Sequence, residues 1–569
     1  MDTQTALVGM QAFILIVTAV LTLFVSTFLL WLYRRATLRG MAQAAGSDNK
    51  PQPNDRSVGY ATALNNHPTS ILNFHETTDQ HSKRHDLETG THARTVLDNM
   101  KRSHRCTTLV YLAGGLAYAF VMTIAWLIMS GGPPPLSRTL LLIIFFLWPT
   151  VITLSIVTAI GIRDVLFYLC SYCILLALTI YFTLQRNPDL PFTTPLYLWA
   201  IFNLIPSVFF LFFLHNRIRS VGPIVFIFLL CGVSGAVVLV QLIGNNDASL
   251  STIASAGHAI GINAISVFIL MHLIGFTLFA FAGRFLLHRL GDAYKRKLCS
   301  DISITTDSMW LMFAVIQSIG FVLEDIRWIL TAPIAFMSYR LVVSLGFRWI
   351  HVPLSDRQNF PNLLLLRVFS LGRRSNRFFD KFSKLWRQVG VIDMIAGPDL
   401  VTTAIEPHEF LEFAGGNLSR RFVLDEDDLN QRLHARDQLP DPDGRYRVHE
   451  FFCHDDTWQM TMQTLANSSD AILMDLRSFS SINQGCIFEI SVLLEKVDLS
   501  RIVFFVDETT DRAFLEQTFQ SLWKNLSPLS PNSTSSHATI SLFTTELQNR
   551  TALHNMIGLL LIPPSPHTL

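Results

Sequence analysis

Residues 470–490, DAILMDLRSFSSINQGCIFEI, decide the fold of the C-terminal part of this chain. The run 471–476 is apolar and has the length of a strand that is buried on both faces. A serine-rich loop follows it, and the pattern over 483–497 predicts a helix. A buried strand followed by a helix is the repeating unit of a parallel sheet that helices cover on both faces.

The same unit recurs on both sides of this stretch. Helical patterns follow three of these runs, near 374–388, 483–497 and 512–525, and residues 351–362, with two prolines, form a linker. We therefore predict an α/β doubly wound parallel-sheet domain over 363–562. Its strands are expected at 363–370, 390–396, 447–453, 471–476, 501–506 and, as an edge strand, 538–543.

Ligands of such sheets bind outside the carboxyl ends of the strands, where the strand order reverses. Several polar residues leave those ends, and a Gly-Arg-Arg-Ser segment at a helix entry offers N–H groups and guanidiniums to a phosphate. A basic helix entry that faces the anionic inner leaflet explains that segment equally well. The candidate nucleotide-binding residues are Gly372, Arg373, Arg374, Ser375, Asp399, Asp475, Arg477 and Ser478.

The stretch 470–490 resembles the region around the fourth strand of TIR (Toll/interleukin-1 receptor) domains and their bacterial relatives. In those domains a hydrophobic strand, a serine loop and a tryptophan-cysteine pair precede a glutamate on the next helix. Here the pair is Gly485 and Cys486, with glycine where tryptophan is usual, and the glutamate is Glu489. The resemblance extends loosely over 361–545, and the segment 400–445 is longer than such domains normally have.

The resemblance implies a function for Glu489. In TIR domains that cleave NAD this glutamate is catalytic, so Glu489 is expected to hold the ribose hydroxyls and to stabilise an oxocarbenium-like centre as nicotinamide leaves. NAD or another nucleotide would then be a substrate or ligand, with no resident cofactor implied. The alternative is that Glu489 faces solvent on an amphipathic helix.

The first 350 residues have a different character. Half of the 569 residues are apolar and only 15% are charged, with a mean hydropathy of +0.36, which indicates a membrane protein. We predict an all-α polytopic bundle. Its nine expected spans are 7–33, 107–130, 137–160, 164–184, 194–214, 222–243, 258–288, 307–324 and 327–347.

Lysine and arginine at the span ends predict the orientation. With nine spans, the N-terminus is outside and the C-terminal domain is cytosolic; together with the resemblance, this predicts a bacterial plasma (inner) membrane. One side collects Arg34, Arg35, Arg39, Lys101, Arg102, Arg105, Arg163, Arg217, Arg219, Arg289, Lys295, Arg296, Lys297 and Arg348, and the other only Arg138, Arg186 and Arg327.

The segment 40–100 is polar, has no apolar periodicity and is expected to be disordered. Its histidines lack metal-ligand spacing apart from His81 and His85, so a solvated linker is favoured over a metal site. The domain boundaries are therefore 1–106 for the first span with this loop, 107–350 for eight spans, 351–362 for the linker and 363–562 for the cytosolic domain.

Three functions are compatible with this organisation. The favoured one is a membrane-anchored signalling sensor or effector whose cytosolic domain handles a nucleotide, with a homo-oligomer as an expected assembly. The alternatives are a channel or transporter with a regulatory domain, and a non-catalytic interaction module. The spans contain almost no acids, no inverted repeat and no Gly- or Pro-broken helix pair, which disfavours transport. The net charge of +1 suggests no nucleic-acid partner.

Overall fold

The chain divides into two compact units. The first comprises Met1–Arg34, Thr107–Ile350 and Ile405–Gly416, and the second comprises Arg35–Cys106, His351–Ala404 and Asn417–Leu569. A computed structural model describes residues 3–43, 71–78, 91–131, 135–159, 161–213, 221–244, 247–322, 328, 330–351, 361–367, 373–397, 407–533, 537–544 and 550–561.

Most of the described residues before 352 are helical, as the apolar runs predict, with a strand at 71–78 as the exception. A π-helix (Ala200–Leu204) links α6 to α7. The helices are α1 (Thr3–Met41), α2 (Thr91–Met129), α3 (Leu136–Phe146), α4 (Trp148–Val157), α5 (Ile162–Arg186), α6 (Thr193–Trp199), α7 (Ile205–Phe213), α8 (Gly222–Gly244), α9 (Asp247–Ala259), α10 (Ala264–Lys295), α11 (Asp301–Val322) and α12 (Thr331–His351).

Five helical stretches among the described residues are long and apolar enough to cross a membrane. A membrane protein fits this finding, whereas the count of nine spans is not confirmed. The seventh predicted span also begins too early, because α9 ends at Ala259 and Asn263 caps α10 by accepting a hydrogen bond from the Ser266 N–H at 2.8 Å. The five stretches are Asp98–Met129, Leu136–Val157, Ile162–Arg186, Thr193–Leu211 and Ile265–Lys295.

Two of these stretches are interrupted, so the expectation that no broken helix pair exists is wrong. Between α3 and α4 the helix is interrupted at Leu147, two residues before Pro149. Between α6 and α7 the backbone winds into the π-helix, directly before Ile205 and Pro206. Proline lacks the N–H that would continue the helical hydrogen bonds, which explains both positions.

The second unit is built on one eight-stranded sheet in which every pairing is parallel, in the order β1-β8-β7-β6-β2-β3-β5-β4. Its strands are β1 (Ile71–Thr78), β2 (Asn362–Arg367), β3 (Val391–Ala396), β4 (Phe422–Val423), β5 (Val448–Cys453), β6 (Ala471–Asp475), β7 (Ile502–Val506) and β8 (His537–Thr544). The later helices are α13 (Arg373–Trp386), α14 (Pro407–Ala414), α15 (Glu426–His434), α16 (Trp458–Ser468), α17 (Gln484–Lys496), α18 (Arg512–Lys524) and α19 (Arg550–Leu560).

The strand order reverses at β2. The chain passes from β2 to β3 on one side of the sheet and later crosses to β6 on the other side. The strands β3-β2-β6-β7-β8 thus follow the 2-1-3-4-5 order of doubly wound flavodoxin-like sheets. All residues of β2, β3, β6 and β7 are buried, as their continuous apolar runs predict.

The edge of the sheet differs from the prediction. Strand β8 is not an edge strand, because β1 pairs with it along its full length. Disorder is therefore the wrong expectation for residues 71–78, and also for 91–100, which begin α2. Leu72 and Phe74 are partly buried and pack against the hydrophobic core of this unit, and these contacts together with the pairing to β8 order the strand. Residues 44–70 and 79–90 lie outside the described residues.

Candidate functional site

The strand β6 ends in a buried ion pair at the reversal point of the sheet. Arg477 donates from Nε to Asp475 Oδ1 at 2.8 Å and from Nη2 to Oδ2 at 2.6 Å. Both side chains are at most 1% exposed. Asp475 is in register with Arg367, the last residue of β2. The two predicted binding residues Asp475 and Arg477 therefore form a bidentate pair with each other.

Two aromatic rings flank the Arg477 guanidinium. Its central carbon lies 5.1 Å from the ring centre of Phe378 on α13 and 4.8 Å from that of Phe505 on β7. Such cation–π contacts stabilise a desolvated charge. The remaining nitrogen, Nη1, has no hydrogen-bond partner among the residues that the structure describes. Nη1 of Arg477 can thus donate to one further acceptor. The sequence did not predict the roles of Phe378 and Phe505, because phenylalanines in apolar runs look like ordinary core residues.

Glu489 lies inside the unit on α17. It is 2% exposed, and its Oε2 atom has no partner within the described part of the chain. The alternative that Glu489 faces solvent is therefore wrong. Burial raises the pKa of this carboxyl from 4.5 to about 8. The group is thus mostly protonated near neutral pH, and it becomes a strong electrostatic partner once it ionises.

Cys486 is buried on α17, three residues before Glu489. Burial raises the pKa of the Cys486 thiol, and the nearby carboxylates of Glu489 and Asp475 raise it further. The thiol is therefore unreactive at neutral pH, since the thiolate is the nucleophile.

Gly485 leaves open space at the first turn of α17. A Cβ atom built on this glycine would meet no atom within 4 Å. Crowding therefore does not require a glycine at this position. The opening lies one helical turn before Glu489.

Ser478 lies in the loop after β6 with a φ of +58°, in the left-handed region that non-glycine residues avoid. Its N–H donates to Thr509 Oγ1 at 3.1 Å, and the two hydroxyls are 2.9 Å apart. Thr509 donates its hydroxyl to Asp507 Oδ1 at 2.5 Å. The loops after β6 and β7 are thereby joined at the carboxyl edge, where strained residues often serve function.

The other predicted binding residues are only partly covered. Arg373, Arg374 and Ser375 form the first turn of α13, but the structure does not describe their side chains. Gly372 and Asp399 lie outside the described residues. That residues 372–375 and Glu489 contact the same ligand stays a prediction.

A second buried acid serves as a comparison. Asp393 on β3 is paired with Arg436 and accepts from Asn362 Nδ2 at 2.8 Å. Burial raises the pKa of Asp393 to about 6, and Arg436 and Asn362 offset part of that effect. Burial is the only cause of the larger pKa increase of Glu489. The cost of ionising the buried carboxyl is thus offset by neighbouring groups at Asp393 but not at Glu489.

We expect Glu489→Gln to stabilise the protein at pH 8. Between pH 4.5 and pH 8 the folded state holds one proton more than the unfolded state. Wild-type stability therefore falls as the pH rises through this window, and glutamine removes that loss. The advantage of the variant should grow from none at the acid end to on the order of 4 kcal/mol at the alkaline end. Thermal unfolding across this range measures it.

The exposed Glu516 on α18 provides the matched control. Glu516→Gln should shift the unfolding midpoint equally at every pH, because this side chain is exposed to solvent in the folded protein. A stability difference between Glu489→Gln and the wild type that does not change with pH would contradict the raised pKa of Glu489.

The fold and the site together define an α/β unit with a doubly wound parallel sheet and a buried acid at its carboxyl edge. Comparisons with models of known families, with curated proteins and with solved structures give no match.

Proposed function

We propose that the α/β unit binds a nucleotide at the carboxyl edge of its sheet and cleaves the N-glycosidic bond of NAD, with Glu489 as the catalytic carboxylate. The observation that carries this proposal is the buried carboxyl of Glu489 on α17, the helix that follows β6, whose Oε2 atom has no hydrogen-bond partner among the described residues. A buried acid whose desolvation is not offset by a partner lowers the stability of the fold, and such groups concentrate at functional sites.

The proposed chemistry uses the charge of Glu489. The bond between C1′ of the ribose and the nicotinamide nitrogen breaks, and its electron pair leaves with nicotinamide. The ionised Glu489 accepts hydrogen bonds from the ribose hydroxyls and stabilises the positive charge that develops at C1′. Water then attacks C1′ and releases a proton. The cationic nicotinamide ring of the substrate would itself favour ionisation of the carboxyl.

The phosphates are assigned to the basic groups of the same edge. In this proposal Arg373, Arg374 and Ser375, with the backbone at Gly372, hold the pyrophosphate, and Nη1 of Arg477 donates a hydrogen bond to one of its oxygens. Ser478 and Asp399 contact a ribose. Losing one arginine should mainly weaken binding, because a phosphate contact is similar in the ground and transition states.

The experiment uses the full chain in detergent with NAD or ATP, followed by chromatography of the products and by a binding assay. Release of nicotinamide supports the proposal. Binding without turnover would support a sensing unit and overturn the catalytic role. Neither binding nor turnover would favour the alternative of a partner-docking module.

We further propose that the unit is anchored as a signalling effector in a bacterial plasma membrane by nine spans, as a homo-oligomer. Apolar helices α1, α8, α11 and α12 overlap the four predicted spans beyond the five candidate stretches. The uneven distribution of lysine and arginine supports an external N-terminus and a cytosolic α/β unit.

A reporter fused after Arg348 should be cytosolic, and one inserted between Gly244 and Asp247 should be external, because basic residues alternate along the span ends. Fusions to alkaline phosphatase and to a fluorescent protein at each position measure this. Finding both positions on one side would exclude the nine-span arrangement.

A further inference from the structure

The helix break at Pro149 leaves the carbonyl of Phe145 without its usual partner, and the neighbouring carbonyl of Ile144 accepts from the N–H of Leu147 at 3.3 Å. In an uninterrupted helix the carbonyl of Phe145 would accept from the N–H of residue 149, which proline lacks. Instead Asn203 Nδ2 donates to Phe145 O at 3.1 Å. The hydroxyl of Tyr172 on α5 donates to the carbonyl of Ile144 at 3.0 Å. Side chains of other helices thus donate to both carbonyls.

The second break faces the first. Asn203 belongs to the π-helix that precedes Pro206, and its own carbonyl accepts from Ser207 Oγ at 2.5 Å. The indole N–H of Trp148, at the first break, donates to the same Ser207 Oγ at 2.7 Å. The two interruptions are therefore hydrogen-bonded to each other, and both lie near the middle of their candidate spans.

A chain of buried polar side chains closes over this junction. The hydroxyl of Tyr118 on α2 donates to Gln317 Oε1 at 2.7 Å, and Gln317 Nε2 on α11 donates to Asn203 Oδ1 at 3.0 Å. Tyr118, Asn203 and Gln317 are completely buried. Each amide uses both its donor and its acceptor, and every bond joins different helices.

We propose that the paired breaks at Pro149 and Pro206 are a hinge of the helix bundle, and that the chain Tyr118–Gln317–Asn203 is the latch that holds it in the described state. At this level the i→i+4 hydrogen-bond ladder is interrupted at Leu147 in one stretch and gives way to the wider i→i+5 bonds of the π-helix in the other, so the segments beyond these points can move as rigid bodies. In a membrane no water is present to accept the role of hydrogen-bond donor, so a carbonyl freed from the helix needs a protein partner. The side-chain hydrogen bonds therefore stabilise one arrangement of the hinge.

The test removes the latch and measures local opening. Gln317→Leu breaks two bonds and leaves both breaks in place. Hydrogen exchange of peptides covering 143–153 and 198–208, in the full chain, should become about tenfold faster or more, while peptides of the α/β unit stay unchanged. The control is Gln185→Leu on α5, because Gln185 also bonds a tyrosine, Tyr181, at 3.0 Å but is exposed. Equal exchange in the two variants would overturn the proposal.

A second variant tests the hinge without weakening the fold. Pro149→Ala restores an N–H that can donate to the Phe145 carbonyl, so exchange over 143–153 should become slower than in the wild type. In this background Asn203→Leu should accelerate exchange less than it does alone. Unchanged exchange in Pro149→Ala, or fully additive effects of the two substitutions, would show that the break is a rigid packing feature.

Discussion

Glu489→Gln is expected to reduce NAD cleavage by the full chain by about 100- to 1,000-fold while nucleotide affinity stays nearly constant. Glutamine keeps the shape and much of the hydrogen bonding but cannot carry the negative charge that faces the developing cation at C1′. The rate of nicotinamide release measures turnover, and equilibrium binding of NAD measures affinity.

The pH profile adds a second criterion. Burial raises the pKa of Glu489 to about 8, so the ionised form accumulates only as the pH approaches that value. Wild-type kcat/KM should therefore rise with pH up to about 8 and then level off. The control Glu516→Gln should match the wild type. Equal turnover in Glu489→Gln and the control would remove the catalytic role from this residue.

Asp475→Asn is expected to destabilise the α/β unit by about 3–5 kcal/mol, because it leaves the fully buried guanidinium of Arg477 without a counter-charge. The rings of Phe378 and Phe505 cannot replace the two hydrogen bonds that the carboxylate accepts. The midpoint of thermal unfolding, followed by tryptophan fluorescence, measures the loss.

Two further variants separate charge from packing. The double variant Asp475→Asn with Arg477→Met should recover most of the loss, since it removes the unpaired charge together with its partner. Asp428→Asn breaks a half-buried pair with Arg432 on α15 and should cost less than about 1 kcal/mol. A loss at Asp475 as small as that at Asp428 would contradict a desolvated pair.

The central strands could be predicted because a short run of adjacent residues is enough to indicate that each one is buried. Strands covered on both faces are continuous apolar runs, so β2, β3, β6 and β7 are recognisable from a few adjacent residues. The polar residues that leave their carboxyl ends are equally visible, and Asp475, Arg477 and Ser478 were proposed as binding residues in this way, whereas Glu489 was proposed from the resemblance to TIR domains.

The sequence by itself determined the apolar helices, the parallel sheet and the residues at its carboxyl edge. Only the tertiary structure decided that β1 joins β8, that Phe378 and Phe505 enclose Arg477, and that Asn203 replaces the donor missing at Pro149. Each of these contacts joins residues distant in the chain. The free energy of such a contact depends on hydrogen-bonding groups and apolar surface of a residue that is distant in the chain. A pattern of neighbouring residues therefore cannot predict it.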